Sequence, residues 1–257
     1  METSKFLKEI LESAGSIARG YFLKKLNVRL KSGVGDLLTE ADEAVSDYLI
    51  AKLSERFPTD QIHSEERADD INPGAAVEWV IDPIDGTRNF AGGIPGWCHM
   101  IAGLRHGELF CSAVYEPLGG IFYYAEAGKG AFRNGERVQV NDVESLNFAM
   151  GVIVCDPRGV HFHRFLEGSR RFLELSGWMK NLGSMFGACC VASGGMDFMI
   201  NNCGMDHDYL PIALICREAG ALVTDLDGQP WRRGKRDIVI ANPTLHPIVR
   251  ELMGTAV

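Results

Sequence analysis

The sequence lacks the long apolar runs that cross membranes. Of its 257 residues 46% are hydrophobic, but no uninterrupted apolar stretch approaches the roughly 20 residues of a membrane-spanning helix. The start of the chain also lacks the pattern of a secretory signal, because Phe6, Leu7, Ile10 and Leu11 recur at helical spacing. We therefore expect a cytoplasmic protein without a membrane partner.

The cysteines lack the spacing of a disulfide framework or a zinc site. There are seven of them, an odd number, and no two form a CxxC pair. Cys189 and Cys190 are adjacent within an apolar stretch, where a bridge is awkward. The pattern predicts reduced, mostly buried thiols.

Positive charge is also scarce. The chain has 26 Lys and Arg residues against 34 Asp and Glu, a formal net charge of −8, which argues against nucleic acid as a partner. The exception is a basic cluster at residues 232–236. A solvated loop is the simpler interpretation of that cluster, and a phosphate or partner contact is the alternative.

No internal repeat or low-complexity linker divides the chain, and its apolar spacing indicates a mixed α/β fold. Two closely packed halves are predicted: residues 1–140, which carry most of the candidate metal ligands, and residues 141–257, which carry Asp208 and the side that would bind the substrate alcohol. Helices are predicted at the start of the chain, at 39–57, 162–176 and 184–193, and last from near Asp208. Strands are predicted at 28–30, 80–81, 221–224 and 238–241, with antiparallel hairpins between 100 and 140 and a turn at Asn134-Gly135.

The run from Trp79 to Thr87 is the strongest indication of a functional site. We expect Pro83 to end a short apolar strand, because it has no N–H for a sheet. Asp82 and Asp85, with the Ile84 carbonyl between them, would then offer the hard oxygen ligands that Mg²⁺ or Mn²⁺ prefers. Gly86 and Thr87 would present backbone N–H groups to an anion. The alternative is an ordinary strand followed by a turn.

Three other acidic segments each have a functional and a structural interpretation. Asp42 follows Thr39 at the spacing of a helix cap, but it could instead be catalytic. The pair Glu65-Glu66 would be solvated surface in most proteins. Asp208 is predicted as the N-cap of the last helix, since that places Pro211 in the first turn, and the same carboxylate could ligate a metal.

Together these segments resemble the inositol monophosphatase family, the Mg²⁺-dependent, lithium-sensitive sugar-phosphate phosphatases. The resemblance extends from about residue 5 to residue 245. It is carried by residues 36–42 (DLLTEAD), by Ser64-Glu65-Glu66, by residues 82–90 (DPIDGTRNF), and by Asp208 followed by Glu218-Ala219-Gly220. The resemblance implies a five-layer α-β-α-β-α sandwich of the inositol monophosphatase/fructose-1,6-bisphosphatase type, usually a homodimer.

The resemblance also implies roles for individual residues. One Mg²⁺ would be held by Glu65, Asp82 and the Ile84 carbonyl, a second by Asp82, Asp85 and Asp208, and a weaker third would lie near Glu65, with Mn²⁺ as an alternative ion. Glu65 and Thr87 would orient the attacking water, and Asp42 would fix the Thr87 hydroxyl. No covalent intermediate is needed, so the cysteines and histidines would be spectators. The implied substrate contacts are Asp85, Gly86, Thr87, Gly183, Ser184 and Asn201.

Four positions depart from the usual residues of the family. Ser64 replaces a Gly, His207 a Trp, Asn201 a Glu and Met185 a small Ala. The last two could reshape the alcohol pocket away from myo-inositol, or they could be neutral. Lys31 resembles a family lysine near the entrance, which could meet a phosphate or simply be exposed.

The resemblance implies a phosphomonoesterase for a small polyol or sugar phosphate similar to inositol-1-phosphate. The alternatives within the same chemistry are a 3′(2′),5′-bisphosphate nucleotidase, a fructose-1,6-bisphosphatase and a histidinol-phosphate phosphatase. An alternative of another class is a protein of RNA or transcription complexes, because some bacterial relatives of the family take part in them.

Overall fold

Five alternating layers of helix and sheet make up the protein. The structure is a computed structural model that describes residues 2–24, 28–30 and 37–254. Helices α1 (Glu2–Tyr21) and α2 (Glu40–Arg56) cover one face of a seven-stranded sheet. Helices α5 (Phe186–Ala192) and α6 (Asp206–Glu218) separate it from a five-stranded sheet, and α4 (Phe162–Glu174) and α7 (Leu245–Leu252) cover the far face. This arrangement confirms the five-layer sandwich.

The seven-stranded sheet carries the motif around Asp82. Its strands follow chain order, with β3 parallel to β4 and each later neighbour antiparallel. The predicted hairpins are confirmed, and the turn between β8 and β9 has Asn134 at φ 50° and Gly135 at φ 88°, as a tight hairpin requires. The strands are β3 (Gln61–Ser64), β4 (Val77–Asp85), β5 (Cys98–Arg105), β6 (Glu108–Glu116), β7 (Ile121–Glu126), β8 (Gly130–Arg133) and β9 (Glu136–Val138). A separate antiparallel pair joins β1 (Val28–Leu30) to β2 (Leu37–Thr39). The short helix α3 (Thr87–Ala91) follows β4.

The five-stranded sheet is mixed, with strand order β11-β10-β12-β14-β13. Its central strands β10 and β12 run parallel, and β14 is antiparallel to both of its neighbours. The strands are β10 (Met150–Val154), β11 (Trp178–Lys180), β12 (Phe198–Asn201), β13 (Leu222–Thr224) and β14 (Ile238–Ala241). The two sheets therefore use separate parts of the chain, while the division into halves at residue 140 stays a prediction.

Three hydrophobic clusters fill the spaces between the layers. The middle cluster contains most of α6, where every residue from Tyr209 to Cys216 is buried. Burial of large apolar side chains contributes about 1.5–3 kcal/mol each, so the packing of these residues holds α6 between the two sheets.

The prediction of the last helix was wrong in two respects. Helix α6 begins at Asp206, so Asp208 is its third residue and Pro211 lies inside it. Proline there removes one internal helix bond, but the burial of the surrounding turns outweighs that loss. The later helix α7 was not predicted; its Pro247 falls in the first turn, where no N–H is needed.

The cysteine prediction is confirmed, because all seven are free and Cys98, Cys111, Cys189 and Cys216 are buried. None of the helices in the described part of the chain combines the length and the apolar character that crossing a bilayer requires.

Candidate active site

A bulge in β4 brings the two carboxylates of the central motif to the same side of the sheet. Asp82 pairs with Met100 and Asp85 with Cys98, so three steps on β4 oppose two on β5. In a regular strand, residues three apart point to opposite faces; the extra residue of the bulge removes that difference. Pro83 therefore does not end the strand, as predicted, but occupies the bulge, where its missing N–H is tolerated.

Asp82, Asp85 and Asp208 form a compact carboxylate cluster. One oxygen from each lies within 4.8 Å of the others, and Asp82 is only 1% exposed. The buried Asp82 Oδ1 has no hydrogen-bond partner in the described part of the chain. Burial, followed by the charges of Glu65 and Asp85, raises the pKa of Asp82 well above its usual value. Burial and Asp208 likewise raise the pKa of Asp85 to about 7.

This cluster fits a divalent cation. Closely spaced, buried carboxylates repel one another, and a bound cation removes that repulsion. The donor set consists only of oxygens, which suits Mg²⁺ and Mn²⁺. The oxygen atoms of Asp82, Asp85 and Asp208 could therefore hold a metal.

The start of the α5 segment holds Asp85 in place. Asp85 Oδ2 accepts bonds from the Ser184 hydroxyl, from the Met185 N–H at 2.7 Å and from the Cys98 thiol at 3.3 Å. Oδ1 receives none of these bonds. The substrate contact expected of Ser184 remains a prediction, while its observed partner is a candidate metal ligand.

Asp208 contributes to the first turn of α6 in addition to the cluster. Its Oδ2 accepts the Met205 N–H at 2.6 Å. Met205 is the N-cap residue, and Asp208 bonds to it from the third position of the helix. A carboxylate near a helix N-terminus is favoured by the helix dipole. The backbone bond fixes the direction of the side chain toward Asp82 and Asp85.

Glu65 lies beside Asp82 because their strands are parallel neighbours. Ser64, the last residue of β3, is in register with Ile81, and the Glu65 N–H donates to the Ile81 carbonyl at 3.1 Å. The Ser64 hydroxyl is buried and lies 2.8 Å from Ser46 of α2. The carboxyl ends of parallel strands lie at the same edge of a sheet, so Glu65 and Asp82, which follow Ser64 and Ile81, lie side by side.

Asp42 combines the two roles that its sequence position suggested. It forms a capping box with Thr39, whose N–H donates to Asp42 Oδ2 at 2.8 Å. The Thr87 hydroxyl donates to the Ile84 carbonyl at 3.0 Å and lies 3.5 Å from Asp42 Oδ1. The helix cap is therefore confirmed, and the same carboxylate is within reach of Thr87.

A cleft of about 310 Å³ opens beside the carboxylate cluster. All six residues predicted to contact substrate line it. Sequence reasoning missed Val154 and Cys203, whose neutral side chains carry no chemical signal in the sequence, and gave no role to Arg88. The lining residues are Glu65, Asp85, Gly86, Thr87, Arg88, Asn89, Val154, Gly183, Ser184, Met185, Asn201, Cys203, Gly204 and Asp208.

The basic cluster at 232–236 is more than a solvated loop. Arg233 donates to both carboxylate oxygens of Glu78 at 2.6 and 2.9 Å and to Asp206 at 2.8 Å. It therefore joins the first turn of α6, which carries Asp208, to β4, which carries Asp82. Lys235 pairs with Asp225 at 2.9 Å, whereas Lys31, the other predicted cation, lies outside the described residues.

Substitution of Gly86 by Ala is expected to lower kcat/KM for phosphate release about 10- to 100-fold. Gly86 has φ +87°, and an added Cβ would lie 3.1 Å from the Gly96 carbonyl oxygen and 3.2 Å from that of Gly183. Both are backbone atoms, so the cleft wall must shift, and displacements of about 1 Å can cost 10²-fold in rate. Gly135→Ala is the matched control, because Gly135 has φ +88° but open space around it. An equal loss of kcat/KM in both variants would contradict this account.

Comparisons with known proteins identify the family of the chain. The family model of the inositol monophosphatase family matches residues 1–255. The chain belongs to the inositol monophosphatase family. It is therefore a phosphoric monoester hydrolase of a metal-dependent family, as the resemblance implied.

Three relatives show how far the family likeness extends. A Thermotoga maritima fructose-1,6-bisphosphatase/inositol-1-monophosphatase is 29% identical over 259 residues, which cover 100% of this chain and 98% of that protein. A Mesorhizobium japonicum inositol-1-monophosphatase is 33% identical, covering 91% and 89%. A candidate Nus factor SuhB of Neisseria meningitidis is 32% identical, covering 81% and 80%. These names differ in function, so what the three relatives share with this chain is the family.

Solved structures share the fold. The extragenic suppressor protein suhB of Bartonella henselae has a TM-score of 0.93 and 25% identity, with each chain fully covered. An IMPase/NADP phosphatase solved with Mg²⁺ and phosphate has a TM-score of 0.86, covering 99% of this chain and 96% of that one. The second structure is only 21% identical to this chain, so its similarity shows a shared fold and nothing further.

Proposed function

We propose that this phosphatase hydrolyses the phosphate monoester of a small polyol or sugar, similar to inositol-1-phosphate, at the cleft beside Asp85. The observation that carries the proposal is the carboxylate cluster of Asp82, Asp85 and Asp208. It is largely buried, Asp82 Oδ1 has no donor among the described residues, and the cluster adjoins a cleft of the size of a small metabolite. We further propose that the active protein is a cytoplasmic homodimer.

The residues proposed to hold Mg²⁺ divide into two sets that share Asp82. Glu65, Asp82 and the Ile84 carbonyl would form one set, and Asp82, Asp85 and Asp208 the other, with a weaker third ion near Glu65 and Mn²⁺ as an alternative. When bound, such cations acidify a coordinated water and neutralise charge on the attacking and leaving oxygens.

The remaining steps are assigned to residues of the chain itself. The Glu65 carboxylate and the Thr87 hydroxyl would orient the attacking water. Asp42 lies 3.5 Å from this hydroxyl and would fix its direction. Backbone N–H groups of Gly86 and Thr87 would hold phosphate oxygens in line with the attack.

The alcohol end of the cleft is neutral. Asn201 is fully buried, its amide nitrogen lies 3.7 Å from the Met185 sulfur, and its amide oxygen accepts the Cys203 N–H at 2.8 Å. Val154 and Met185 contribute apolar surface to the same wall. A substrate with fewer hydroxyl groups than inositol, or with them on another side, is consistent with this lining.

The double variant Met185→Ala, Asn201→Glu is expected to raise kcat/KM for inositol-1-phosphate about 10-fold relative to the other esters. It removes bulk and supplies a carboxylate that accepts bonds from substrate hydroxyls, each contributing about 1–2 kcal/mol. Steady-state phosphate release with each ester measures the ratio. The two single variants, Met185→Ala and Asn201→Glu, serve as controls. The neighbouring Asn202 is not used for this purpose, because its side chain bonds to the 156–160 loop. An unchanged ratio would remove these two positions from the alcohol site.

The proposed reaction is tested by phosphate release from purified protein with and without Mg²⁺. The panel comprises inositol-1-phosphate, fructose-1,6-bisphosphate, adenosine 3′,5′-bisphosphate and histidinol phosphate. We expect Mg²⁺-dependent release, with one ester preferred. Preference for a bisphosphate or for histidinol phosphate would assign the corresponding alternative activity, and no turnover by folded protein would contradict the proposal.

A second candidate function is supported by the relative described as a candidate Nus factor. Participation in a transcription complex would use the outer surface of the protein and would not need hydrolysis. The complete carboxylate set favours catalysis. Asp85→Asn separates the two roles, because it changes a candidate metal ligand and leaves the outer surface as it is.

A further inference from the structure

His207 lies next to the candidate metal ligands and has no assigned role. Its Nε2 is 3.8 Å from Glu65 Oε2 and 3.8 Å from Asp208 Oδ2, and its side chain is 15% exposed. The ring makes no hydrogen bond to any residue in the described parts of the chain. An imidazole nitrogen thus stands among carboxylate oxygens at the edge of the candidate metal site.

A second cavity makes this nitrogen accessible to ions. The cavity has a volume of about 440 Å³ and is lined by His207 together with Glu65, His63 and the basic 233–236 loop. Two basic side chains of that loop are paired with carboxylates, Arg233 with Glu78 and Asp206, and Lys235 with Asp225. Glu65 also lines the substrate cleft, whereas His207 does not. An ion between Glu65 and His207 could therefore exchange without passing through the substrate.

We propose that His207 is a nitrogen ligand, shared with Glu65, of a divalent cation, and that it makes this position prefer a first-row transition metal such as Mn²⁺ over Mg²⁺. The inference rests on the proposed metal-dependent function. Imidazole is a softer donor than carboxylate or water, so replacing one oxygen ligand by nitrogen lowers the relative affinity for Mg²⁺.

The distances fit this assignment. Two ligand atoms that are each about 2.1 Å from one ion are separated by about 3 to 4.2 Å, and the His207–Glu65 separation of 3.8 Å falls in that range. The pair adjoins the carboxylate cluster, because Glu65 acts electrostatically on Asp82, whose buried Oδ1 is unpartnered among the described residues.

The usual family residue at this position could not act in the same way. Tryptophan offers only an N–H donor and has no lone pair for a metal. The substitution by histidine therefore adds a ligand atom to the site without displacing another one.

The test is pulsed EPR of Mn²⁺ bound to the full-length protein, combined with competition by Mg²⁺. The wild type is expected to show coupling of Mn²⁺ to a ligated ¹⁴N. In His207→Gln and His207→Phe this coupling is lost and the ratio of Mn²⁺ to Mg²⁺ affinity falls about 10-fold or more. His63→Gln is the matched control, because His63 lines the same cavity but bonds to Asp70 through Nδ1 at 2.8 Å; it should retain the coupling.

Absence of ¹⁴N coupling in the wild type, or an unchanged affinity ratio in folded His207 variants, would overturn the proposal. Loss of the coupling only in His63→Gln would overturn it as well, since another imidazole would then be the ligand. These readouts do not require turnover. Mg²⁺-dependent hydrolysis without ¹⁴N coupling rejects this inference alone, and ¹⁴N coupling without hydrolysis of any ester rejects the proposed function alone.

Discussion

Asp85→Asn is expected to lower kcat for phosphate release about 10³-fold or more in saturating Mg²⁺. The amide can still accept the bonds from Ser184 and Met185 that position the Asp85 side chain. The substitution removes one negative charge from the cluster that would hold the cation, and electrostatic stabilisation of this kind commonly contributes more to rate acceleration than any other effect. Single-turnover and steady-state phosphate release measure the loss.

Asp237→Asn is the control for this variant. Asp237 is also a buried carboxylate and accepts a backbone bond from Leu226 at 2.6 Å, but it lies outside the cluster. It should keep kcat within about threefold of the wild type. Retention of full activity by Asp85→Asn would show that the cluster does not bind the catalytic metal.

The same variant separates the two candidate functions in cells. If Asp85→Asn loses hydrolysis in vitro and fails to complement a deletion strain, the phosphatase activity is the cellular function. If it complements fully, the transcription-complex role gains support, because the outer surface of the protein is unchanged.

In metal-free buffer Asp85→Asn is expected to be more stable than the wild type, by an amount that grows with pH. The pKa of Asp85 is about 7 in the folded protein, raised first by burial and then by Asp208, against about 3.9 in an unfolded chain. Between these values the folded state binds the extra proton, so wild-type stability falls as pH rises. At about 1.4 kcal/mol per unit, the difference between the two proteins approaches about 4 kcal/mol above pH 7.

Urea denaturation in EDTA from pH 4 to pH 8 measures this difference. Burial lowers the pKa of His99 and of His246 to about 4, so these two groups make stability rise with pH between about 4 and 6.5. Both proteins contain them, and subtraction removes their contribution. Added Mg²⁺ should reverse the order by stabilising only the folded wild type. Parallel stability curves for the two proteins would refute the electrostatic explanation of the cluster.

Residue type and local pattern, together with the family resemblance, were enough to name the candidate groups of the site. Asp82, Asp85, Glu65 and Asp208 were identified from their carboxylates, from local turn signals and from resemblance to the family. The hairpins of the first sheet and the Asn134-Gly135 turn followed from alternation and from the φ values that a tight turn demands. These features are local, so short segments are enough to specify them.

The way those groups meet depends on packing between distant segments. The β4 bulge that turns Asp85 toward Asp82 requires pairing with β5, whereas the sequence suggested that Pro83 ends the strand. Helix α6 begins at Asp206 because the burial of its later turns outweighs the bond lost at Pro211, a balance that local propensity does not contain. The approach of His207 to Glu65 likewise joins two segments far apart in the chain. Contacts of this kind depend on how whole layers pack, which no local pattern records.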